Sequence, residues 1–207
     1  MGSKSSVEQD VRVLVRRYGL EAVRKALDSI RESKAPPQIR WAPNPDCLKG
    51  LICAMAGGKA LKLEDAWKIV KSISGTPDVK RTHTLGLLRS NVDIFIRVSK
   101  KPNQLWKLTE AGEELAKYLC VTPGNLTEIE KNILAPYYLN DPVTRAVYEI
   151  FHNKKITRRR GVQLLAERLP SLGYSPKEAE YFIGEKTTAL VRLGLLRRKR
   201  GKETIYW

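Results

Sequence analysis

The sequence predicts a mainly α fold with small β-hairpins, an α+β chain of two compact units preceded by an N-terminal helical extension. Three observations lead there. Apolar residues recur at three- and four-residue intervals through most of the 207 residues. Two β-type runs fold back around short basic turns, DIFIRV and QLWKL about SKKPN at 93–108, and LLRR and ETIYW about KRGK at the C-terminus. The order helix, helix, helix, hairpin occurs twice, a repeat of architecture without a repeat of residues.

From the N-terminus, Val11, Leu14, Val15 and Tyr18 form one apolar stripe, and Val23, Ala26, Leu27 and Ile30 a second, with Gly19 between them. This spacing predicts two short helices or one kinked helix over 7–33. SKAPPQIRWAPNP at 33–45 holds four prolines, which block helix and central strand alike and leave an extended connector. Asp46 is the expected N-cap of a helix through about Met55, stopped by Gly57 and Gly58. LKLEDAWKIVKSIS at 61–74 is amphipathic throughout, and Thr76 and Pro77 are expected to open the next helix. The hairpin follows, and Thr109 then starts the helix EAGEELAKYL.

Residues 121–140 read as a linker whose middle, from Leu126 to Leu134, is helical with Thr127 as cap. PVTRAVYEIFHN opens the second unit as a helix, Thr157 caps RRRGVQLLAERL, and Ser175 with Pro176 caps KEAEYFIGEKTTALVRLG. The expected division is therefore an extension and connector at 1–40, a first unit at 41–120, a linker at 121–140 and a strongly basic second unit at 141–207.

Charge sets the expected partner. The chain carries a net +16, yet residues 121–153 are acidic, with two basic against four acidic side chains. Residues 154–207 hold fourteen Lys and Arg against five Asp and Glu, more than half the net charge in the last quarter of the chain. Solubility needs far less, so the concentration asks for an anionic partner. No apolar run of about 18 residues is present to span a membrane, and the start lacks the apolar core of a signal peptide. Cys47, Cys53 and Cys120 are too few and scattered for a disulfide framework and read as core thiols in a reducing, cytoplasmic setting. With His83 and His152 the only histidines, no zinc-ligand spacing occurs, and neither a metal nor another cofactor is expected.

Two strings carry a family resemblance. IFIRVSKKPNQLWKLTEAGEELAKYL, in which a hairpin runs straight into LTEAG and a helix, resembles a juncture recurring in bacterial and archaeal winged helix-turn-helix proteins. VRLGLLRRKRGKETIYW resembles the other common ending of that superfamily, a recognition helix closing on LGLL before a basic wing. The resemblance implies tandem winged-helix domains with recognition helices in the major groove and basic wings on phosphates. In the first unit it implies contacts from Lys80, Arg81, Thr82, His83 and Thr84, and a wing carrying Lys100, Lys101 and Asn103. In the second it implies recognition by Lys177, Lys186, Thr187 and Thr188, with Arg197, Arg198, Lys199, Arg200 and Lys202 on the wing. Arg158, Arg159 and Arg160 open the preceding helix, where backbone N–H groups already favour a phosphate. Trp67, Trp106 and Tyr148 lie on apolar stripes and read as core.

No phosphate-binding loop, dinucleotide fingerprint or hydrolase triad is present, and Asp78-Val79-Lys80 imitates a nuclease pattern in a segment expected to be helical. The expectation is non-catalytic double-stranded DNA binding by a nucleoid-associated, regulatory protein. The alternatives are the DNA-recognition part of a restriction, replication or recombination system, or a winged-helix protein-interaction scaffold. The apolar stripes of 7–33 call for a cover, either a second copy or protein partner or the first unit of the same chain.

Overall fold

The structure is a computed structural model that describes residues 37–75, 78–99, 104–201 and 203–207. The helices expected over 7–33, the Thr76-Pro77 start, and Lys100, Lys101, Asn103 and Lys202 lie outside the described residues. Among the rest the chain is mainly helical, with two small antiparallel sheets of three strands each.

Residues 37–44 form no helix or strand, yet the segment is packed. Ile39 and Ala42 are buried. The Asn91 side chain accepts from the N–H groups of Arg40 (2.8 Å) and Trp41 (3.2 Å) and donates to the Trp41 carbonyl at 2.9 Å. Helix α1, Pro45–Met55, is capped by Asn44, whose side chain accepts the Asp46 N–H at 3.2 Å. The cap is thus Asn44, with Pro45 in the first turn, rather than Asp46. The Asp46 carboxylate instead accepts the Leu126 N–H at 2.8 Å. Past its end, Gly57 and Gly58 have φ of 77° and 76° and donate both N–H groups to the Glu113 carboxylate. L side chains rarely adopt that backbone, so the glycines shape the turn that makes the pair of bonds.

A short strand β1, Leu61–Lys62, precedes α2, Leu63–Ser74. Helix α3 is Arg81–Ser90, with Lys80 as an extended cap, so it starts later than Thr76-Pro77 suggested. The Val79 carbonyl accepts the Trp67 indole N–H at 2.6 Å, which ties the approach segment to α2 before the helix begins. Strands β2, Phe95–Arg97, and β3, Leu105–Leu108, pair with Phe95 opposite Leu108 and Arg97 opposite Trp106, and β1 adds to the far side of β3. Alternation along β3 buries Trp106 and Leu108 and exposes Lys107. Helix α4, Glu110–Leu119, is capped by Thr109, which accepts the Gly112 N–H at 3.1 Å and donates to the Asp93 carbonyl.

The expected linker is a packed strut. Helix α5, Glu128–Leu139, opens with a Thr127–Glu130 capping box and continues through Pro136, which stays exposed. It sends Leu134, Tyr137 and Tyr138 into the first core, and the Tyr138 hydroxyl donates to the Ala42 carbonyl at 2.8 Å. Glu130 also meets buried Lys49 at 2.8 Å.

The second unit repeats the plan. Helix α6, Pro142–Phe151, is capped by Asp141. Strand β4, Ile156–Thr157, leads into α7, Arg158–Arg168, capped by Thr157. A Ser175–Glu178 capping box starts a short 3-10 turn that feeds α8, Ala179–Arg192. Strands β5, Arg198–Lys199, and β6, Ile205–Tyr206, form the terminal hairpin, and β4 completes the order β4-β6-β5, matching β1-β3-β2.

Two apolar cores result, and α8 borders both. Ile183 and Leu190 pack in the second core, whereas Ala189 and Leu193 pack in the first. One expectation about the cysteines is overturned. Cys53 and Cys120 are joined in a disulfide that ties α1 to the end of α4 (Cα–Cα 5.3 Å), bringing together residues 67 apart in sequence. The inference of a reducing compartment, drawn from three free thiols, loses that support. Cys47 alone remains a buried thiol, and desolvation pushes its pKa up to about 11. Among the described residues no helix is long and apolar enough to cross a membrane.

Candidate nucleic-acid interface

The cations of the second unit are gathered by its small sheet. Thr157 stands opposite Ile205, and Ile205 opposite Lys199, so the arginine-rich turn lies one strand spacing from β6 and two, about 10 Å, from β5. The Arg158 N–H donates to the Thr204 carbonyl at 2.8 Å, fastening the start of α7 to the hairpin. At the other end, Arg197 and Trp207 exchange backbone bonds of 2.7 and 3.2 Å. Arg158, Arg159, Arg160, Arg197, Arg198, Lys199 and Arg200 are all exposed.

Little on this surface neutralises them. The first turn of α7 holds no acidic residue, so its N-terminal dipole is left for an outside anion. Arg158 meets Glu180 at 3.6 Å, but both are largely exposed, and such a pair contributes little. Arg160 donates to the Gln163 side chain at 3.1 Å. Between α7, α8 and the hairpin lies an open recess of about 450 Å3, with Arg158, Arg159, Gln163 and Thr204 in its walls alongside Glu180 and Glu203.

Helix α8 and the 3-10 turn before it present less than expected. Lys177 is exposed and Thr188 half-buried, with its hydroxyl donating to the Gly184 carbonyl at 2.7 Å. Lys186 and Thr187 are corrections: both are buried and out of reach of a ligand on this surface. Thr187 donates to the Ile183 carbonyl at 2.5 Å. The Lys186 ammonium donates to the Arg40 carbonyl and lies 3.4 Å from Asp141 and 3.1 Å from Glu185. The reason is helical phase: 179, 183, 186 and 190 share one face, and Ala179, Ile183 and Leu190 on it are apolar and buried. That signal was legible in the sequence. Burial raises the pKa of Glu185, with the Lys186 charge and hydrogen bonds from Lys186 and Tyr181 opposing it.

In the first unit, Lys80, Thr82 and His83 are exposed at the start of α3. Arg81 is exposed but engaged, paired with Glu64 and lying 5.5 Å from the Trp67 ring centroid. Thr84 is a further correction. It is fully buried, because α3 turns that position onto the core beside Leu87 and Leu88. Trp67 is half-buried, whereas Trp106 is buried as expected of a core residue.

Trp41, in the proline-rich connector, packs between the units as that position allows, whereas Tyr181 was passed over by the periodic reading. Trp41 lies with its ring against Gly86 of α3 and 6.5 Å from the His83 ring, and its indole N–H donates to the Tyr181 hydroxyl of α8 at 2.9 Å. The candidate recognition helices of the two units therefore meet across one indole. Tyr181 falls off the apolar stripe of α8, a phase that marks an aromatic aimed outward. Among the described residues no three His, Cys, Asp or Glu side chains converge as a metal site requires.

No protein-family model, curated protein or solved structure matches the chain.

Proposed function

We propose that this chain binds double-stranded DNA without chemistry through two winged-helix units, the second supplying most of the affinity. The observation that carries the reading is the exposed cationic surface built by the turn at Arg158–Arg160 and the hairpin at Arg197–Arg200, held on one small sheet. The matching strand orders of the two units support the winged-helix part of the reading. On this reading the arginines and wing hold phosphates, and Lys177 of the 3-10 turn and Thr188 of α8 face the bases. Because α3 and α8 meet at Trp41, the two helices share one footprint; successive major grooves lie about 34 Å apart, too far for both to be entered.

One observation favours a second role for the first unit. Val92 in the turn before β2, and Ile96 and Val98 on the hairpin, are 57%, 47% and 45% exposed, a surface suited to a protein contact in a larger nucleic-acid-processing assembly or scaffold.

The test is fluorescence anisotropy of the protein on random-sequence duplex DNA at about 50 and 200 mM salt. Binding through seven phosphate contacts is expected to weaken by roughly three orders of magnitude or more over that range. Changing Arg197, Arg198, Lys199 and Arg200 to Ala is expected to weaken binding equally on all sequences and to flatten the salt slope. Absence of duplex binding at both salts would overturn the reading and leave the protein contact as the function to pursue.

A further inference from the structure

A row of aromatic side chains crosses the seam between the units. Phe182 belongs to the second core and Trp41 packs against the first, but neither core nor the cationic surface accounts for Tyr181 and Tyr174. His83 and Trp41 stand 6.5 Å apart by ring centroids, and Trp41 is bonded to Tyr181. Tyr181 lies 5.6 Å from Phe182, which meets Tyr174 edge-on at 5.1 Å. Tyr181 is 58% exposed and Tyr174 40%. Such rings raise stability most when buried, so two placed outward at the head of α8 are costly unless something covers them. At the His83 end the surface dips into a recess of about 200 Å3 walled by Trp41, Val79, His83 and Leu87, almost wholly apolar.

The setting says what kind of ligand fits. Tyr181 sits beside Glu180, whose carboxylate faces Arg158, so the row begins where the cationic surface ends. Exposed Arg40 precedes Trp41, and exposed Lys177 lies one turn before Tyr181. The acidic groups nearby are engaged. Glu178 accepts the Ser175 N–H at 2.9 Å, Glu180 faces Arg158, and Glu185 is turned into the seam against Lys186. Flat rings interleaved with cations, continuous with a phosphate-binding surface, suit unstacked bases on a strand whose backbone the cations follow. A protein partner would find few aliphatic side chains here; the exposed ones lie on the other unit's hairpin.

We propose that unpaired nucleotides adjoining the bound duplex lie along this row, with bases stacked on Tyr181 and Trp41. The chain then recognises a junction between double- and single-stranded DNA rather than duplex alone. This rests on the duplex reading above, and the experiment separates the two. Binding of the full chain is measured on three probes: a blunt duplex, the same duplex with a thymidine tail of about four nucleotides, and the tail as a free oligonucleotide. The tailed duplex is expected to bind about tenfold tighter than the blunt one. Tyr181→Ala is expected to abolish that gain with blunt-duplex affinity unchanged, whereas Tyr181→Phe, which keeps the ring, retains it. A tail replaced by 5-iododeoxyuridine should photocrosslink to Tyr181 or Trp41.

Equal affinity for tailed and blunt duplex, or a gain that survives in the Tyr181→Ala and Tyr174→Ala double variant, overturns the proposal while the duplex reading stands. Binding of the free tail alone, lost in Tyr181→Ala, supports the row while the duplex reading falls. A dimer in sedimentation that Tyr181→Ala dissolves assigns the row to a second copy of the chain and overturns the proposal.

Discussion

Glu185 and Lys186 are neighbours on α8, and both are withdrawn from water where the two units meet. Lys186 is well supplied: the Arg40 carbonyl accepts from it, and Asp141 and Glu185 lie within 3.4 Å. Glu185 is less so. One of its carboxylate oxygens, Oε2, has no hydrogen-bond partner, and its pKa is raised by burial. The native state therefore holds that proton more readily than the unfolded chain, so the contribution of this group is fully present below the ordinary carboxylate range and is lost as pH rises through the native value. Glu185→Gln, which keeps the shape and removes the charge, is expected to be more stable than the parent near neutral pH. Lys186 retains Asp141 in that variant. The difference should shrink toward zero at about pH 4, where the parent side chain is itself protonated. Thermal unfolding of both proteins at the two pH values measures it; a variant less stable near neutrality would mean that the Lys186 contact outweighs the cost of burial.

At the scale of elements, the position of α4 depends on one close approach. A Cβ built on Gly112 would stand 2.4 Å from the Ile94 carbonyl oxygen and 3.1 Å from the Leu108 Cβ. The same Ile94 oxygen accepts the Thr109 N–H that sets the start of the helix. The obstacle is backbone, not a flexible side chain, so relief requires the helix to move off the sheet. Gly112→Ala is expected to destabilise the fold by about 1–3 kcal/mol despite the better helix propensity of alanine. A shift of the urea midpoint at unchanged slope would record it. Midpoints that coincide would show that α4 slides outward at little cost.

For the molecule as a whole, the Cys53–Cys120 bond and α5 make the first unit and the strut one body. Breaking the disulfide frees the unfolded chain more than it disturbs the folded one, so Cys53→Ala is expected to lower stability by about 2–4 kcal/mol. Denaturation with and without reductant checks this: the parent should fall to the level of the variant when reduced, and the variant should not respond. On the proposed function, duplex affinity in folding conditions is expected to stay the same, because the cations proposed to supply it belong to the second unit.

Much of this was legible in the chain itself, because it rests on local chemistry. Thr109, Thr127, Thr157 and Ser175 cap where their side chains indicate, and acidic residues in the following turn mark three of the four. The hairpins follow their β-type runs, and the concentration of charge over 154–207 is a property of composition. Strands β1 and β4 were not legible, since two-residue segments carry no periodicity and exist only by pairing with β3 and β6. Residues 121–140 looked like a linker because Pro136 and Asp141-Pro142 punctuate them; what makes them a strut is Tyr137 and Tyr138 packing into the first core and bonding Ile39 and Ala42 across about a hundred residues. The cysteine pairing and the meeting of Trp41 with Tyr181 are likewise long-range facts, whereas the withdrawal of Lys186, Thr187 and Thr84 follows the phase of the apolar residues on their own helices. Sequence determined most of the described helices, the Thr109, Thr127, Thr157 and Ser175 caps, the hairpins and the concentration of charge, since each arises within a few neighbouring residues. Tertiary structure decided which cysteines pair, which rings meet and what covers each buried face, because those contacts depend on what packs opposite, and no local pattern encodes that.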